Sequence, residues 1–294
     1  MLLKRKKLLL TCLKLNNLNL YLIGYCVKII SMKFCKGSIE KTKINKDRIL
    51  SYLQNKDIGL EVLKKTTSTN DYIKKHLEKS SFAVIAKSQT KGRGRLNRTF
   101  YSPKNRGIYM SVLIKPNAPI SKSVRLTTLT ATIVANAIEK LTKLSVNIKW
   151  VNDLFINGKK VSGILTESSS NFNSNKLDYA VIGIGINVFG KKFNKNIKDI
   201  ATSIENESKI KIDVNQLIAL IIDGFTNIEE LLNDGTYINE YKKRLFILNK
   251  QITVINSKCE YQATAVDVND DGALIVSNNG KLETINAGEV SIKI

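Results

Sequence analysis

Two patterns of apolar and polar positions follow each other along the chain, and they change near residue 248. Before that point, short apolar runs with the length of buried strands occur at 60–63, 82–86, 108–114 and 181–187. Stretches with apolar residues at helical spacing occur at 46–55, 69–79, 123–143, 213–233 and 236–246. From residue 251, short runs alternate with turn signals at 269–272 and 278–280. The patterns predict helices packed on a sheet, followed by a small all-β domain.

A hairpin is predicted around Asn157-Gly158, a dipeptide typical of type I′ turns. The two strands expected to pair across it are residues 148–153 and 159–167. Such a hairpin would hold Asn152, Asp153 and Lys160 on a rigid sheet, which is a better platform for chemistry than a loop.

A glycine- and arginine-rich loop is predicted at residues 87–98, between two apolar strands. Gly94 lets the backbone approach a ligand closely, and Arg93, Arg95 and Arg98 offer guanidinium groups suited to phosphate or carboxylate. The loop lacks the Gly-Lys-Ser/Thr ending of a Walker loop. Taken alone, it is equally typical of a solvated basic loop or of a segment that binds nucleic acid.

Five short motifs follow one another over residues 66–188. They are Ser68-Thr69-Asn70; Gln89 with Gly92-Arg-Gly-Arg95; Lys149-Trp150 with Asn152-Asp153; Lys160 with Gly163-Ile-Leu165; and Gly183-Ile-Gly-Ile-Asn187. In this order and at this spacing, the chain resembles the biotin protein ligase family. The ending Ala287-Gly-Glu-Val-Ser-Ile292 is similar to the small C-terminal domain of that family. Phe100 stands where the family often has tryptophan, and Val151 where it usually has proline.

The resemblance implies an α+β fold. We expect a mixed sheet with packed helices, similar to the catalytic domain of class II aminoacyl-tRNA synthetases and biotin ligases, and then a small C-terminal SH3-like β-barrel. The predicted domains are a poorly ordered basic extension at 1–43, a catalytic biotin- and ATP-binding domain at 44–248, and the barrel at 249–294. Polar residues interrupt the apolar run of the extension, which argues against a signal peptide and a membrane span. It shows no helix-turn-helix pattern, so we expect the form without an N-terminal DNA-binding domain.

The resemblance also implies two successive transfers. Biotin and ATP, the substrates, would give biotinyl-5′-AMP and pyrophosphate. A specific lysine of a biotin carboxyl carrier protein, or of the equivalent domain of a biotin-dependent carboxylase, would then take the biotin. Mg²⁺ would bind largely through phosphates and water, so no protein metal ligands are assigned. Such a site needs positive charge and alignment rather than an enzyme nucleophile.

The matching motifs assign roles to individual residues. The expected catalytic residues are Lys160, which would bridge carboxylate and phosphate oxygens, Arg95, and Asp153, which would help to hold Mg²⁺ or orient the incoming lysine. The expected biotin-binding residues are Ser68, Thr69, Asn70, Gln89, Arg93, Gly94, Arg95, Lys160 and Gly163. The expected ATP- and adenylate-binding residues are Arg95, Arg98, Asn152, Lys160 and Asn187. Simpler interpretations stay open for Thr69 as a helix N-cap and for Trp150 as a core residue. Lys159 and His76 are expected to be exposed side chains without a role.

Composition limits the alternatives. Four cysteines without a Cys-x-x-Cys pair and a single histidine exclude a zinc constellation and favour a cytoplasmic protein. The formal charge of +22 invites a nucleic-acid interpretation, but nine of those charges lie within residues 1–43 and the others are dispersed. We therefore expect neither specific DNA binding nor membrane association. A lipoate-type protein ligase and a non-catalytic nucleic-acid-binding protein remain as rival functions, and a homodimer through sheet edges stays open.

Overall fold

The computed structural model describes residues 43–171, 173, 175–190, 193–255, 259–286 and 288–291. The basic extension predicted at 1–43 lies outside these ranges except for Lys43, and so do Cys12, Cys26 and Cys35.

A mixed seven-stranded sheet is the centre of the fold, in the order β1-β2-β3-β7-β6-β5-β4. Its strands are β1 (Gly59–Leu63), β2 (Phe82–Ala86), β3 (Gly107–Ile114), β4 (Asn147–Lys149), β5 (Asp153–Ile156), β6 (Lys159–Asn171) and β7 (Lys176–Asn187). β1 and β2 are parallel, and the other neighbours are antiparallel. β2 and β3 are buried along their whole length, which explains why both are uninterrupted apolar runs. The predicted α+β fold with a mixed sheet is confirmed.

The hairpin predicted at Asn157-Gly158 is present, but its first strand was predicted wrongly. The two residues have φ angles of 49° and 75°, the positive values that a type I′ turn requires. They join β5 to β6, so residues 154–156 are strand rather than loop. Residues 150–152 form a turn between β4 and β5, which takes Asn152 off the strand. Trp150 anchors this turn, because its buried indole N–H donates to the Gly272 carbonyl at 3.0 Å.

Helices flank the sheet. They are α1 (Lys46–Tyr52), α2 (Thr69–Ile73), α3 (Ser123–Thr142), α4 (Ile204–Glu207), α5 (Val214–Asp223), α6 (Ile228–Asp234) and α7 (Ile238–Arg244). The long α3 packs against β5 and β6, as predicted for the stretch 123–143. Its buried Thr130 and Thr142 hydroxyls donate to carbonyls four residues earlier, at 2.6 and 2.7 Å, which satisfies them inside the core. Within the described ranges, no helix is long and apolar enough to cross a membrane.

Several helices are shorter than predicted. The stretch 69–79 is helical only to Ile73, because the next turns tighten to three-residue hydrogen bonds such as His76 N to Ile73 O at 2.8 Å. His76 therefore lies beyond the helix, and it is half-buried with its ring 4.8 Å from that of Tyr72 rather than fully exposed. The stretch 213–233 divides at Gly224 into α5 and α6. At that break, the Asp223 carboxylate accepts the backbone N–H of Gln54 at 3.1 Å and ties the end of α5 to the end of α1.

A second sheet of five antiparallel strands follows, in the order β11-β10-β9-β8-β12. Its strands are β8 (Gln251–Ile255), β9 (Glu260–Val268), β10 (Leu274–Asn278), β11 (Lys281–Ile285) and β12 (Glu289–Ser291). Gly272 and Gly280 have φ angles of 82° and 81° in the two predicted turns, a conformation that favours glycine. The prediction of a small C-terminal β-domain of the SH3-like type is confirmed.

Candidate active site

A cavity of about 270 Å³ opens over β3, β6 and β7. It is lined by every residue that the motifs assigned to the site: Ser68, Thr69, Asn70, Gln89, Arg93, Gly94, Arg95, Arg98, Asn152, Asp153, Lys160, Gly163 and Asn187. Three glycines at its floor let other side chains of the site approach the sheet closely: Gly163 on β6 pairs with Gly185 on β7, and Gly183 lies two residues away on the same face. The fold thus brings together motif residues that are up to 119 residues apart in sequence, from Ser68 to Asn187.

The start of α2 supplies a buried polar end to the cavity. Ser68, Thr69 and Asn70 are each only 3% exposed. Ser68 is the N-cap residue, yet its side chain makes no capping hydrogen bond. Gln89 performs that task instead, because its Oε1 accepts the backbone N–H and the hydroxyl of Thr69 at 2.8 and 3.1 Å. The interpretation of Thr69 as a side-chain N-cap is therefore wrong.

Ser102 fixes the orientation of the Gln89 amide. The Ser102 hydroxyl donates its one proton to the Phe100 carbonyl at 2.9 Å, so its oxygen has to accept from Gln89 at 3.0 Å. That end of Gln89 is consequently the Nε2 group, and the other end is the oxygen that accepts the Thr69 N–H. Two independent partners give the same orientation. The second Nε2 proton of Gln89 is then left for a ligand that presents a hydrogen-bond acceptor.

The Asn70 amide makes its hydrogen bonds to other groups of the protein. Its Nδ2 donates to Glu167 Oε2 at 2.7 Å and to the Leu165 carbonyl at 3.4 Å, while its Oδ1 accepts from the Ser111 hydroxyl at 2.6 Å. A Cβ at Gly183 would overlap this amide, so the glycine is required for its position.

Phe100 forms an aromatic wall over Gly185. A Cβ at Gly185 would lie 2.5 Å from two ring carbons of Phe100, closer than any van der Waals contact. The ring also meets Tyr109 edge-on, with centroids 6.4 Å apart. The glycine in this strand is therefore explained by the close approach of a flat ring.

Lys160 and Asp153 form an ion pair at the other end of the cavity. Lys160 Nζ lies 2.6 Å from Asp153 Oδ1, and the side chains are 33% and 15% exposed. Lys159 is exposed on the opposite face of β6, as predicted. Asn152 is fixed beside them, since its Nδ2 donates to the Ile164 carbonyl at 2.8 Å.

The three arginines of the loop each bind different protein groups rather than converging on one point. Arg93 contacts Asp71 at 2.6 Å and Glu167 at 2.9 Å. Arg95 donates to the Gly288 carbonyl at 2.6 Å and to Asn152 Oδ1 at 3.3 Å. Arg98 pairs with Glu289 at 2.7 Å. Burial lowers the pKa of Arg95 from its usual value, although the negative charges of Asp153 and Glu289 act to raise this pKa. The loop is therefore tied both to the α2 region and to the C-terminal sheet.

Residues suited to a divalent cation are few. No group of three or more His, Cys, Asp or Glu that could hold a metal occurs in the described part of the chain. The carboxylates that line the cavity are Asp153 and Glu289, which offer hard oxygen atoms. This donor set fits Mg²⁺ that is bound mainly by phosphates and water.

Sequence reasoning missed three polar residues that organise the cavity, namely Ser102, Ser111 and Glu167. Ser111 carried a signal, because it is the polar residue inside the apolar run 108–114 and is fully buried. Ser102 and Glu167 carried none, since their partners are side chains 13 and 74 to 97 residues away. Trp150 is 1% exposed and belongs to the core, as the simpler interpretation of this residue predicted.

Comparison with known proteins places the chain among ligases. Residues 59–187 match the Biotin/lipoate A/B protein ligase family, and residues 247–293 match the Biotin protein ligase C terminal domain. The bifunctional ligase/repressor BirA of Bacillus subtilis is 30% identical over 92% of this chain and 85% of its own length. The biotin--[acetyl-CoA-carboxylase] ligase of Paracoccus denitrificans is 26% identical over 70% of this chain and 88% of its own.

Solved structures show the same likeness. The biotin protein ligase of Aquifex aeolicus in complex with biotin and ATP superposes with a TM-score of 0.68 at 26% identity, covering 79% of this chain and 97% of that one. The biotin protein ligase of Leishmania major in complex with biotinyl-5-AMP gives a TM-score of 0.51 at 25% identity, covering 79% and 100%. Together with the ordered motifs and the cavity that they line, these similarities establish that the chain belongs to the biotin protein ligase family.

Proposed function

We propose that this protein is a biotin--[biotin carboxyl-carrier protein] ligase, which forms biotinyl-5′-AMP from biotin and ATP and transfers biotin to a specific lysine of a carrier. The observation that supports it best is one cavity with two unlike ends. One end holds buried hydrogen-bonding groups suited to a polar ring, and the other holds Lys160 beside Asp153.

The polar end favours biotin over lipoate. Biotin carries a ureido group, whose carbonyl can accept from the remaining Nε2 proton of Gln89, whereas the dithiolane ring of lipoate has no comparable group. A site built to hydrogen-bond a ligand discriminates against an analogue that leaves its buried polar groups unpaired. The ratio of the two kcat/KM values reaches on the order of 10⁴–10⁵ in the best cases. Ser68 and Thr69 would complete the contacts to the head of biotin, with Asn70 fixing the start of α2 behind them.

The first transfer joins a carboxylate to a phosphate, so the site has to offset negative charge. An oxygen of the biotin carboxylate attacks the α-phosphorus of ATP, and pyrophosphate leaves. Lys160 would bridge the carboxylate and phosphate oxygens, and Arg95 would close over the adenylate. Asn152 and Asn187 would contact the nucleoside, and Arg98 the phosphates. Mg²⁺, held by the phosphates and water with Asp153 as the protein oxygen, would neutralise polyphosphate charge.

The second transfer needs an acceptor from outside the chain. The amine of a carrier lysine attacks the carbonyl of the mixed anhydride, the new amide bond forms as the nitrogen loses a proton to water, and AMP leaves with the bonding electron pair. Asp153 is one carboxylate near this position that could orient the amine.

We propose that the carrier is the biotin carboxyl carrier domain of a carboxylase and that the protein acts in the cytoplasm without specific DNA binding. A homodimer through sheet edges would use β1, because the other edge strand, β4, already pairs with Leu245 through Ile148. The proposed domain limits remain 1–43, 44–248 and 249–294.

ATP–pyrophosphate exchange tests the proposal. We expect exchange that depends on biotin, with little in the presence of lipoate and none without an acid. Exchange that is indifferent to biotin would contradict the proposed function, and exchange with lipoate alone would support the lipoate-type ligase. Salt-sensitive binding of DNA or RNA without ATP consumption would instead support the nucleic-acid-binding alternative.

A further inference from the structure

Glu167 is the centre of a charged cluster that borders the cavity but belongs to none of the recognised motifs. Its carboxylate receives Asn70 Nδ2 at 2.7 Å, Lys74 Nζ at 2.8 Å and Arg93 Nη2 at 2.9 Å. Arg93 also binds Asp71 at 2.6 Å. We call these five residues the Glu167 cluster. Its donors come from the start of α2, from the end of α2 and from the arginine loop, so one strand residue holds three separate parts of the site.

The charge of Glu167 is stabilised in this position. Burial by itself would raise the pKa of Glu167, but the hydrogen bonds from Lys74 and Asn70 and the charges of Lys74 and Arg93 outweigh it and hold the pKa below its usual value. Hydrogen bonds to an ionised carboxylate are the stronger kind and fix geometry. The carboxylate therefore stays ionised at neutral pH and keeps all three donors.

Two partners of Glu167, namely Asn70 and Arg93, line the cavity. Asn70 is adjacent to Thr69 in sequence, and its amide has no proton left for a ligand once Glu167 and Leu165 are bound. Arg93 is two residues from Arg95, which lies across the cavity from α2 and binds Asn152. Loss of the Glu167 charge would weaken the hold on the Asn70 amide and on the Arg93 guanidinium together, leaving Asn70 with Leu165 and Ser111 and Arg93 with Asp71.

We propose that Glu167 is a positioning residue for biotin, which acts through Asn70 and Arg93 and touches no substrate atom. This inference rests on the proposed function. The Arg93 side chain accordingly joins the arginine loop to α2. Arg93 contributes to biotin binding by positioning the backbone of that loop. The cluster sets the shape of the biotin end, whereas Lys160 and Asp153 serve the reacting atoms.

The test is Glu167→Gln, which keeps the size of the side chain and removes its charge. We expect the KM for biotin in pyrophosphate exchange to rise about tenfold, the factor that corresponds to ~1.4 kcal/mol. The exchange rate at saturating biotin should change by no more than about threefold, because the reacting end is untouched. Asp178→Asn is the matched control, since Asp178 is an exposed carboxylate on the neighbouring strand β7. It should leave both quantities unchanged.

A double-mutant cycle separates positioning from general stability. Arg93→Met should raise the KM for biotin, and the variant carrying both Glu167→Gln and Arg93→Met should be no worse than the more affected single variant. Additive effects, or equal losses in KM and in the saturated rate with a lowered Tm, would overturn the proposal. Should Glu167→Gln not fold, Lys74→Met is the alternative variant, because it removes one ion pair of Glu167 at a half-exposed position. An unchanged KM for biotin in Lys74→Met would also overturn the proposal. Wild-type exchange that ignores biotin would refute the proposed function itself, which keeps the two failures distinct.

Discussion

Lys160 and Lys159 are neighbours in sequence, but they project from opposite faces of β6. Only Lys160 lines the cavity, where Asp153 holds its ammonium group at 2.6 Å. If Lys160 stabilises charge that develops between carboxylate and phosphate, Lys160→Ala should slow adenylate formation by on the order of 10²–10³. Rapid-quench measurement of biotinyl-5′-AMP gives the rate. The KM for biotin should also rise, because the lysine neutralises the ground-state carboxylate.

Lys159→Ala is the control for that experiment, and it should change neither the rate nor the KM. Similar, mild effects at both positions would show that the charge is supplied elsewhere, with folding of each variant checked by its Tm.

Ser102 orients an amide that the motifs assign to biotin. In Ser102→Ala, the Gln89 Nε2 group loses its acceptor, so the amide is held only by Thr69 and can rotate. Loss of one neutral hydrogen bond is worth ~1 kcal/mol, so the KM for biotin should rise by roughly fivefold while the saturated exchange rate changes little. Steady-state exchange across biotin concentrations measures both. Ser168→Ala, at an exposed position on β6, should have no effect. An unchanged KM in Ser102→Ala would mean that Gln89 does not contact biotin.

At the scale of elements, the contact between β7 and the loop carrying Phe100 depends on the absence of one side chain. Gly185→Ala would place a methyl group 2.5 Å from the Phe100 ring, and overpacking of this kind costs about 1–3 kcal/mol. We expect urea unfolding to show that loss in the wild-type background. In a Phe100→Ala background, the same substitution should cost little, because the clash is removed. An equal cost in both backgrounds would place the strain elsewhere in the strand.

The arginine loop is an element whose closure depends on contacts at a distance. Arg95 joins it to the Gly288 carbonyl beside β12, at 2.6 Å. Arg95→Ala should loosen the loop over the cavity and increase the escape of biotinyl-5′-AMP into solution, because a closed loop excludes water and retains the intermediate. Chromatography of free adenylate against biotinylated carrier measures the escape. Lys104→Ala, an exposed residue after the loop, is the control. Unchanged release from Arg95→Ala would contradict a role in closure.

At the scale of the whole molecule, the basic extension is predicted to be dispensable for catalysis. A truncated variant should nevertheless keep Lys43, because the Lys43 carbonyl accepts from Asn215 Nδ2 at 3.2 Å and Asn45 N donates to Asn215 Oδ1 at 2.8 Å. Removal of residues 1–42 should leave biotin-dependent exchange near the wild-type rate, since the cavity is built from residue 68 onwards. Full-length protein assayed at equal concentration is the reference. A large loss of activity in the folded, truncated protein would contradict the prediction.

The sequence by itself determined the elements whose signals are local. The buried runs gave β2 and β3, the turn residues gave the Asn157-Gly158 hairpin and the C-terminal turns, and the apolar stretch 123–143 gave α3. The ordered motifs also determined the family and the residues that line the cavity. These signals are readable because strand burial and positive φ angles each restrict the residue types at one position.

The tertiary structure alone decided how those residues bind one another. Gln89 replaces Ser68 and Thr69 as the helix cap, Asn152 lies on a turn anchored by Trp150, and each loop arginine binds different partners. Glu167 has no neighbour in sequence that marks its role. These hydrogen bonds join residues that are 13 to 193 positions apart in sequence. Such partners form when the packed fold brings their atoms within about 3 Å, and a local sequence pattern does not record which residues will meet.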